Sequence, residues 1–206
     1  MKNQMTIFIT LIISLFHTNF NAQKTSYVVT TTNDTVFVDK VSILNNKVKT
    51  VLEKNRKTYT YDQLIGIYDF KKEQHFEKIS PAFVEYKGIS GNTFFAERLT
   101  KGKVKIYKHL TNQGRYLPIG NQGGMAFSRN SFFSYYIGIE GSRPELLCYN
   151  ELQLAKEEYK ILKLYLHSND NFQKELENLF FAEKKEKENS VIELVNNYNQ
   201  WAALEK

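Results

Sequence analysis

Residues 132–166, FFSYYIGIEGSRPELLCYNELQLAKEEYKILKLYL, change their periodicity midway. Phe132–Ile139 is an aromatic and β-branched run. Glu140–Glu145 holds the Gly, Ser and Pro of a turn, and Leu146–Tyr149 is a second short run, which predicts two paired strands. Beyond them Leu152, Tyr159, Leu162, Tyr165 and Leu166 recur near one face of a helix. Strands before this point and helices after it predict an α+β fold. Residues 23–149 are expected to form an antiparallel β-rich region, a meander of short strands with a barrel-like form. Residues 150–206 are expected to form a helical segment of about three helices packed on it.

Working toward the N-terminus, Tyr27–Thr31 and Thr35–Leu44 read as strands joined by a turn at Asn33-Asp34. Asn45-Asn46 marks the next turn, because Asn tolerates positive φ. Val48–Leu52, Thr58–Tyr61 and Gly66–Phe70 continue the meander, with Glu53–Lys57 as a polar reversal and Asp62 capping one helical turn. Residues 71–78 (KKEQHFEK) read as a charged link and Ala82–Lys87 as a further strand. Phe94–Leu99 pairs with Lys103–Leu110 as a hairpin, and residues 111–131, rich in Gly, Asn, Gln and Ser, read as a long loop.

Toward the C-terminus, Ser168 or Asn169 breaks the first helix and caps the second, which is striped by Phe172, Leu176, Leu179 and Phe180. Lys184–Asn189 reads as a solvated connector. Ser190-Val191-Ile192-Glu193 reads as a capping box opening the third helix, whose apolar side is Val191, Leu194, Val195, Tyr198 and Trp201. These stripes are expected to pack on the sheet.

Residues 1–22 have the order of an export signal: Lys2, an uncharged apolar run over 6–16, polar residues at 17–19, and small Ala22 as the expected cleavage site. The apolar run is shorter than the roughly 20 residues of a spanning helix. The expected product is exported to the periplasm, the cell surface or the extracellular space, with no stable membrane span. The net charge of +6 comes mostly from Lys, with Arg only at 56, 98, 115, 129 and 143. Lys favours solubility over forked phosphate recognition, and no nucleic-acid-binding motif is present, so nucleic acid is not an expected partner.

Chemistry is sparse. Cys148 is the single cysteine, so no intrachain disulfide forms, and a small buried side chain is its expected role. His75, His109 and His167 lack metal-ligand spacing, and no metal or cofactor is expected. Gly88-Ile89-Ser90-Gly91 places its second glycine one residue too early for a nucleophile elbow. Gly120–Gly124 lacks the Lys-Ser/Thr ending of a phosphate loop. Glu85, Glu97 and Glu140 lie near or within strands and are the acids from which a carboxylate site could be assembled in space. No catalytic residue is assigned.

The segment 112–139 combines a long loop with aromatic and Arg side chains, the residue types enriched at contact hot spots. Arg115, Tyr116, Arg129, Phe132 and Tyr136 form the candidate contact surface, while Phe133, Tyr135 and Ile137 alternate toward the core.

Asn21-Ala22-Gln23, the opening Tyr27-Val28-Val29-Thr30 with Asn33-Asp34-Thr35-Val36, the strand Ser134-Tyr135-Tyr136-Ile137 and the closing Val195-Asn196-Asn197-Tyr198-Asn199 resemble uncharacterised secreted and envelope proteins of Bacteroidota. The resemblance implies an exported protein of no assigned activity and carries no catalytic residues. The expected function is non-catalytic binding or interaction in the envelope, with an envelope protein or a glycan as partner. The alternative is an envelope hydrolase using paired carboxylates. A small outer-membrane barrel is disfavoured by the helical C-terminal region.

Overall fold

The computed structural model describes residues 25–44, 47–81, 93–119, 124–182 and 187–205. Of 111–119 and 124–131 it describes the backbone alone. The N-terminal strands are β1 Ser26–Thr30, β2 Thr35–Val38, β3 Lys40–Leu44, β4 Lys47–Leu52, β5 Asn55–Thr60 and β6 Leu64–Asp69. They are followed by β7 Gln74–Ile79, β8 Phe94–Arg98, β9 Val104–Ile119, β10 Gly124–Ile139 and β11 Glu145–Tyr149. The helices α1 Lys156–Tyr165, α2 Asp170–Phe181 and α3 Lys187–Leu204 complete an α+β layout. An eight-stranded antiparallel sheet has the order β11-β10-β9-β8-β7-β6-β1-β2, and β3-β4-β5 form a separate three-stranded sheet.

One register row crosses the large sheet: Val36, Val28, Ile67, Phe76, Glu97, Lys108, Tyr135 and Cys148 are successive partners. Directly paired residues project from the same face. At one end of this face Val28, Val38 and Ile67 pack against Val41, Val48 and Tyr59 of the small sheet. At the other end Val104, Ile106, Tyr135 and Ile137 pack beneath Leu162, Leu176, Val191 and Val195 of the helices. The row is therefore apolar under its two covers and charged between them.

The expected strand Thr35–Leu44 is cut at Asp39. Its N–H donates to Val51 O (2.8 Å) and its carboxylate accepts from the Glu53 N–H (2.9 Å). These two bonds turn the chain out of the large sheet into the small one. The polar reversal expected at Glu53–Lys57 shrinks to Glu53 and Lys54, both at positive φ, and β5 begins at Asn55. The charged link at 71–78 is instead mostly β7, because Glu77 finds cross-strand partners in Arg98 and Lys105. Residues 111–119 and 124–131 are not loop. They are the outer half of a hairpin of two 16-residue strands, in continuous register from Ile139↔Val104 to Gly124↔Ile119. Antiparallel pairing uses backbone groups, which Gly, Asn, Gln and Ser supply as well as any residue.

In the helical region α1 starts at Lys156, later than the apolar pattern suggested. Leu152 and Leu154 reach the core from the irregular segment before the helix, with Leu154 at positive φ, each 1% exposed. Glu158 then accepts the Ala155 N–H (2.8 Å) at the start of the helix. Asn169 caps α2 by accepting the Asn171 N–H (2.8 Å). α3 begins at Lys187, so Ser190 and Glu193 lie inside it rather than opening it. The earlier start has a tether: Glu188 bonds Lys108 and Tyr135 of the sheet. The expected strand Ala82–Lys87, Glu85, Gly88–Gly91 and the signal segment with Ala22 lie outside the described residues.

A buried amide fastens α3 to the sheet. Asn199 Nδ2 donates to Lys101 O (2.7 Å) and Val104 O (2.7 Å), and its Oδ1 accepts the Val104 N–H (2.8 Å). Asn196 Oδ1 accepts the Lys101 N–H (2.8 Å). Gly102, in the same turn, has φ +107°, and a Cβ there would stand 2.7 Å from Asn199 Cβ. Asn199→Ala is expected to lower stability by roughly 2–4 kcal/mol, since it leaves buried backbone groups unpaired. Gly102→Ala is expected to be destabilising as well, through strain and collision, and urea unfolding of both variants measures this.

Candidate functional site

Beside the small sheet, the large sheet carries a cleft of about 1200 Å³ lined by strands and turns. Its floor is the register face already described. Phe76 comes from β7, Phe95 and Glu97 from β8, Lys108 and Leu110 from β9, and Phe133 from β10. All five residues of β3 line one wall, and Lys71 and Lys72, in the turn before β7, stand at its margin. Leu110 and Phe133 are partners in the hairpin, and are 49% and 40% exposed because they lie beyond the helical cover.

Lys108 is held on three sides. Its Nζ donates to Glu188 Oε1 (2.9 Å) and lies 4.6 Å from the Phe133 ring centre and 5.2 Å from that of Tyr135. Burial works to lower the ammonium, but Tyr135 and Glu188 outweigh it and hold Lys108 above its ordinary range. The Tyr135 hydroxyl donates to Glu188 Oε2 (2.7 Å) and is pushed up to about 12, chiefly by burial and further by that carboxylate. Glu97, the register partner of Lys108, is half-buried. Burial, with a smaller contribution from the Glu188 charge, raises its carboxyl above the ordinary range, against opposing contacts from Gln74, Lys108 and Lys72.

His109 is also at the cleft, with its ring 4.0 Å from that of Phe94 and Nδ1 3.1 Å from Phe95 O. A carbonyl only accepts, so Nδ1 carries the proton, and burial keeps the imidazole below its ordinary range. The opposite face of the sheet holds a different cluster. Glu77 accepts from Arg98 (2.5 Å), Lys105 (3.2 Å) and the Tyr107 hydroxyl (2.9 Å). Burial tends to raise this carboxyl, but these three donors together hold it below the ordinary range.

The cleft offers an aromatic floor, a clamped cation and a half-buried carboxyl, which suits binding of a ligand with both apolar and polar parts. Among the described residues no three or more His, Cys, Asp or Glu side chains are grouped to hold a metal ion. No helix among them is long and apolar enough to cross a membrane. Cys148 is buried under the helices, and burial pushes its thiol well up.

The five residues of the expected contact surface are spread along one hairpin. Arg115, Tyr116 and Arg129 belong to its outer arm, where Arg115 pairs Ser128, Tyr116 pairs Phe127 and Arg129 pairs Gly114. Phe132 is partly buried against the edge of Tyr149 (5.8 Å). Tyr136 is 3% exposed and packs with Ile79, Ala96 and Tyr107. It is also one of the residues that line the cleft. Phe133, expected in the core, is the exposed aromatic. The sequence does mark the charged floor: Phe95-Glu97-Leu99 and Val104-Ile106-Lys108-Leu110 are apolar alternations, each interrupted once by a charge. Glu188 carries no such mark. No family model, curated protein or solved structure matches this chain.

The two carboxyls predict opposite pH dependence. For Glu97 the folded state holds the proton more tightly, so its contribution to stability falls as pH rises past the ordinary carboxylate range. For Glu77 the unfolded chain holds it more tightly, so its contribution is present above that range and is lost as pH falls through the lowered folded value. Urea unfolding near pH 4 and near pH 7 is expected to show Glu77→Gln losing stability mainly at the higher pH. Glu97→Gln is expected to match or exceed the parent there.

Proposed function

We propose that this is an exported envelope protein that binds a segment of an envelope protein or glycan without transforming it. The observation that carries the reading is the cleft between the small sheet and the uncovered part of the large one. At about 1200 Å³ it is larger and more open than the roughly 300–1,000 Å³ of sites that enclose a small molecule, and it suits a length of chain. Its exposed Phe133 and Leu110 supply apolar contact, and Lys108, Glu97 and the edge of β3 supply polar contact. The export order of residues 1–22 supports the address.

Calorimetry with peptidoglycan fragments, capsular oligosaccharides and extended peptides tests the reading. Phe133→Ala and Leu110→Ser should each weaken the ligand that binds by about tenfold, as loss of a contact anchor does, with little change in Tm. Binding that neither substitution alters would refute the cleft as its site.

A second reading rests on Glu97, a half-buried carboxyl lining the cleft that burial shifts upward, the direction a general acid needs. In that case the parent cleaves the bound glycan and Glu97→Gln binds it without cleavage. An intact ligand after prolonged incubation with the parent excludes a hydrolase.

A further inference from the structure

The small sheet carries almost all of the chain's charge imbalance. Residues 40–60 contain six Lys and Arg side chains and one acid, Glu53, a net of +5 where the whole chain has +6. Register decides where these charges point. Val48 and Thr50 of β4 are buried, so Lys47 and Lys49 face outward. Lys40 and Arg56 are the two partners of Val51, two residues on from Lys49, and share that outer face. The remaining outward positions are Ser, Thr, Val and Leu, so the face holds four cations and no acid. All four are exposed, and among the described residues none is in an ion pair. Arg98, Lys105 and Lys108 of the large sheet, by contrast, sit on carboxylates.

We propose that this face docks the protein on the surface of an anionic phospholipid bilayer. The other side of the sheet is core, so the four cations are held on one exposed face. Lys47 and Lys49 are about 7 Å apart along β4, and Lys40 and Arg56 each lie on the diagonal from Lys49, about 8 Å away, with no two cations directly paired. Three of the four are Lys, a compact point charge suited to a diffuse layer of headgroup charge rather than to one shaped anion. A nucleic-acid strand or a glycan chain would want planar side chains to stack on. The aromatic residue of these strands, Tyr59, is on the buried side at 4% exposure. Leu44, 39% exposed at the β3–β4 turn, is the partner of Lys47 on this outer face, where it can enter the headgroup region. Because β3 also walls the cleft, docking in this way sets the cleft beside the membrane surface.

Co-sedimentation of the full chain with vesicles tests the proposal, comparing phosphatidylcholine alone with phosphatidylcholine containing about 30% phosphatidylglycerol. Residues 1–22 are common to every variant, so the ratio between the two lipid mixtures reads the sheet. At about 50 mM salt the anionic vesicles should bind at least roughly tenfold more protein, and about 500 mM salt should erase the difference. Lys47→Glu with Lys49→Glu should abolish the preference, and Lys49→Gln with Arg56→Gln should reduce it without reversing charge. Lys174→Glu, an exposed position on α2, should leave it unchanged. Equal binding to both mixtures overturns the proposal, as does a preference that survives in the sheet variants. Tighter retention by heparin or a single-stranded oligonucleotide than by the anionic vesicles also overturns it, and assigns the face to a soluble polyanion.

Discussion

One face of an eight-stranded sheet has to be covered, and no single element of this chain is wide enough to do it. Eight strands spaced by about 4.8 Å span roughly 34 Å, while a helix with its side chains is about 10 Å across. The chain uses two covers, a three-stranded sheet at the β1–β2 end and three helices at the β9–β11 end. What they leave open must tolerate water. Apolar residues fill the register row beneath each cover, and Glu97 and Lys108 occupy its half-buried middle, where Glu188 pairs the Lys108 charge and offsets the cost of burying it. The cleft is thus a consequence of how the sheet is covered, and its polar groups are where the covering stops.

The edge of the helical cover is set by polar contacts rather than by apolar burial alone. Asn199 binds the backbone of the β8–β9 turn at one end of α3, and Glu188 accepts from Lys108 and Tyr135 at the other. Two directional anchors some three turns apart fix both the position and the rotation of the helix, which apolar packing by itself leaves loosely specified. The same Glu188 contact orients Lys108 in the cleft. Placement of the helix and preparation of the site are therefore one event. On the opposite face, Glu77 with Arg98, Lys105 and Tyr107 holds together β7, β8 and β9, the strands that carry the floor.

Much of the layout was legible from local pattern. The change of period near residue 145, the turn at Asn33-Asp34, the pairing of Phe132–Ile139 with Leu146–Tyr149 and the helical stripes all follow from side-chain alternation, which is a property of neighbours in sequence. Errors came where a distant partner decided the outcome. KKEQHFEK is mostly strand because Arg98 and Lys105 neutralise Glu77. The glycine-containing stretch 111–131 is strand because its own hairpin partner satisfies its backbone. Phe133 is exposed and Tyr136 is 3% exposed because exposure depends on where a cover ends, which no neighbouring residue encodes.

The sequence by itself determined the class of fold, the order of its elements and the concentration of positive charge in residues 40–60, since each is read from composition and period within a short window. It also held the trace of the site, two charges at inward positions of otherwise apolar strands. Only the tertiary structure decided that Glu97 and Lys108 are partners, that Glu188 of a helix distant in sequence clamps one of them, and that the cations of the small sheet share one exposed face. The physical reason is that strand register and the reach of a cover are long-range quantities. They are set by which surfaces meet in space and not by the residues that flank them.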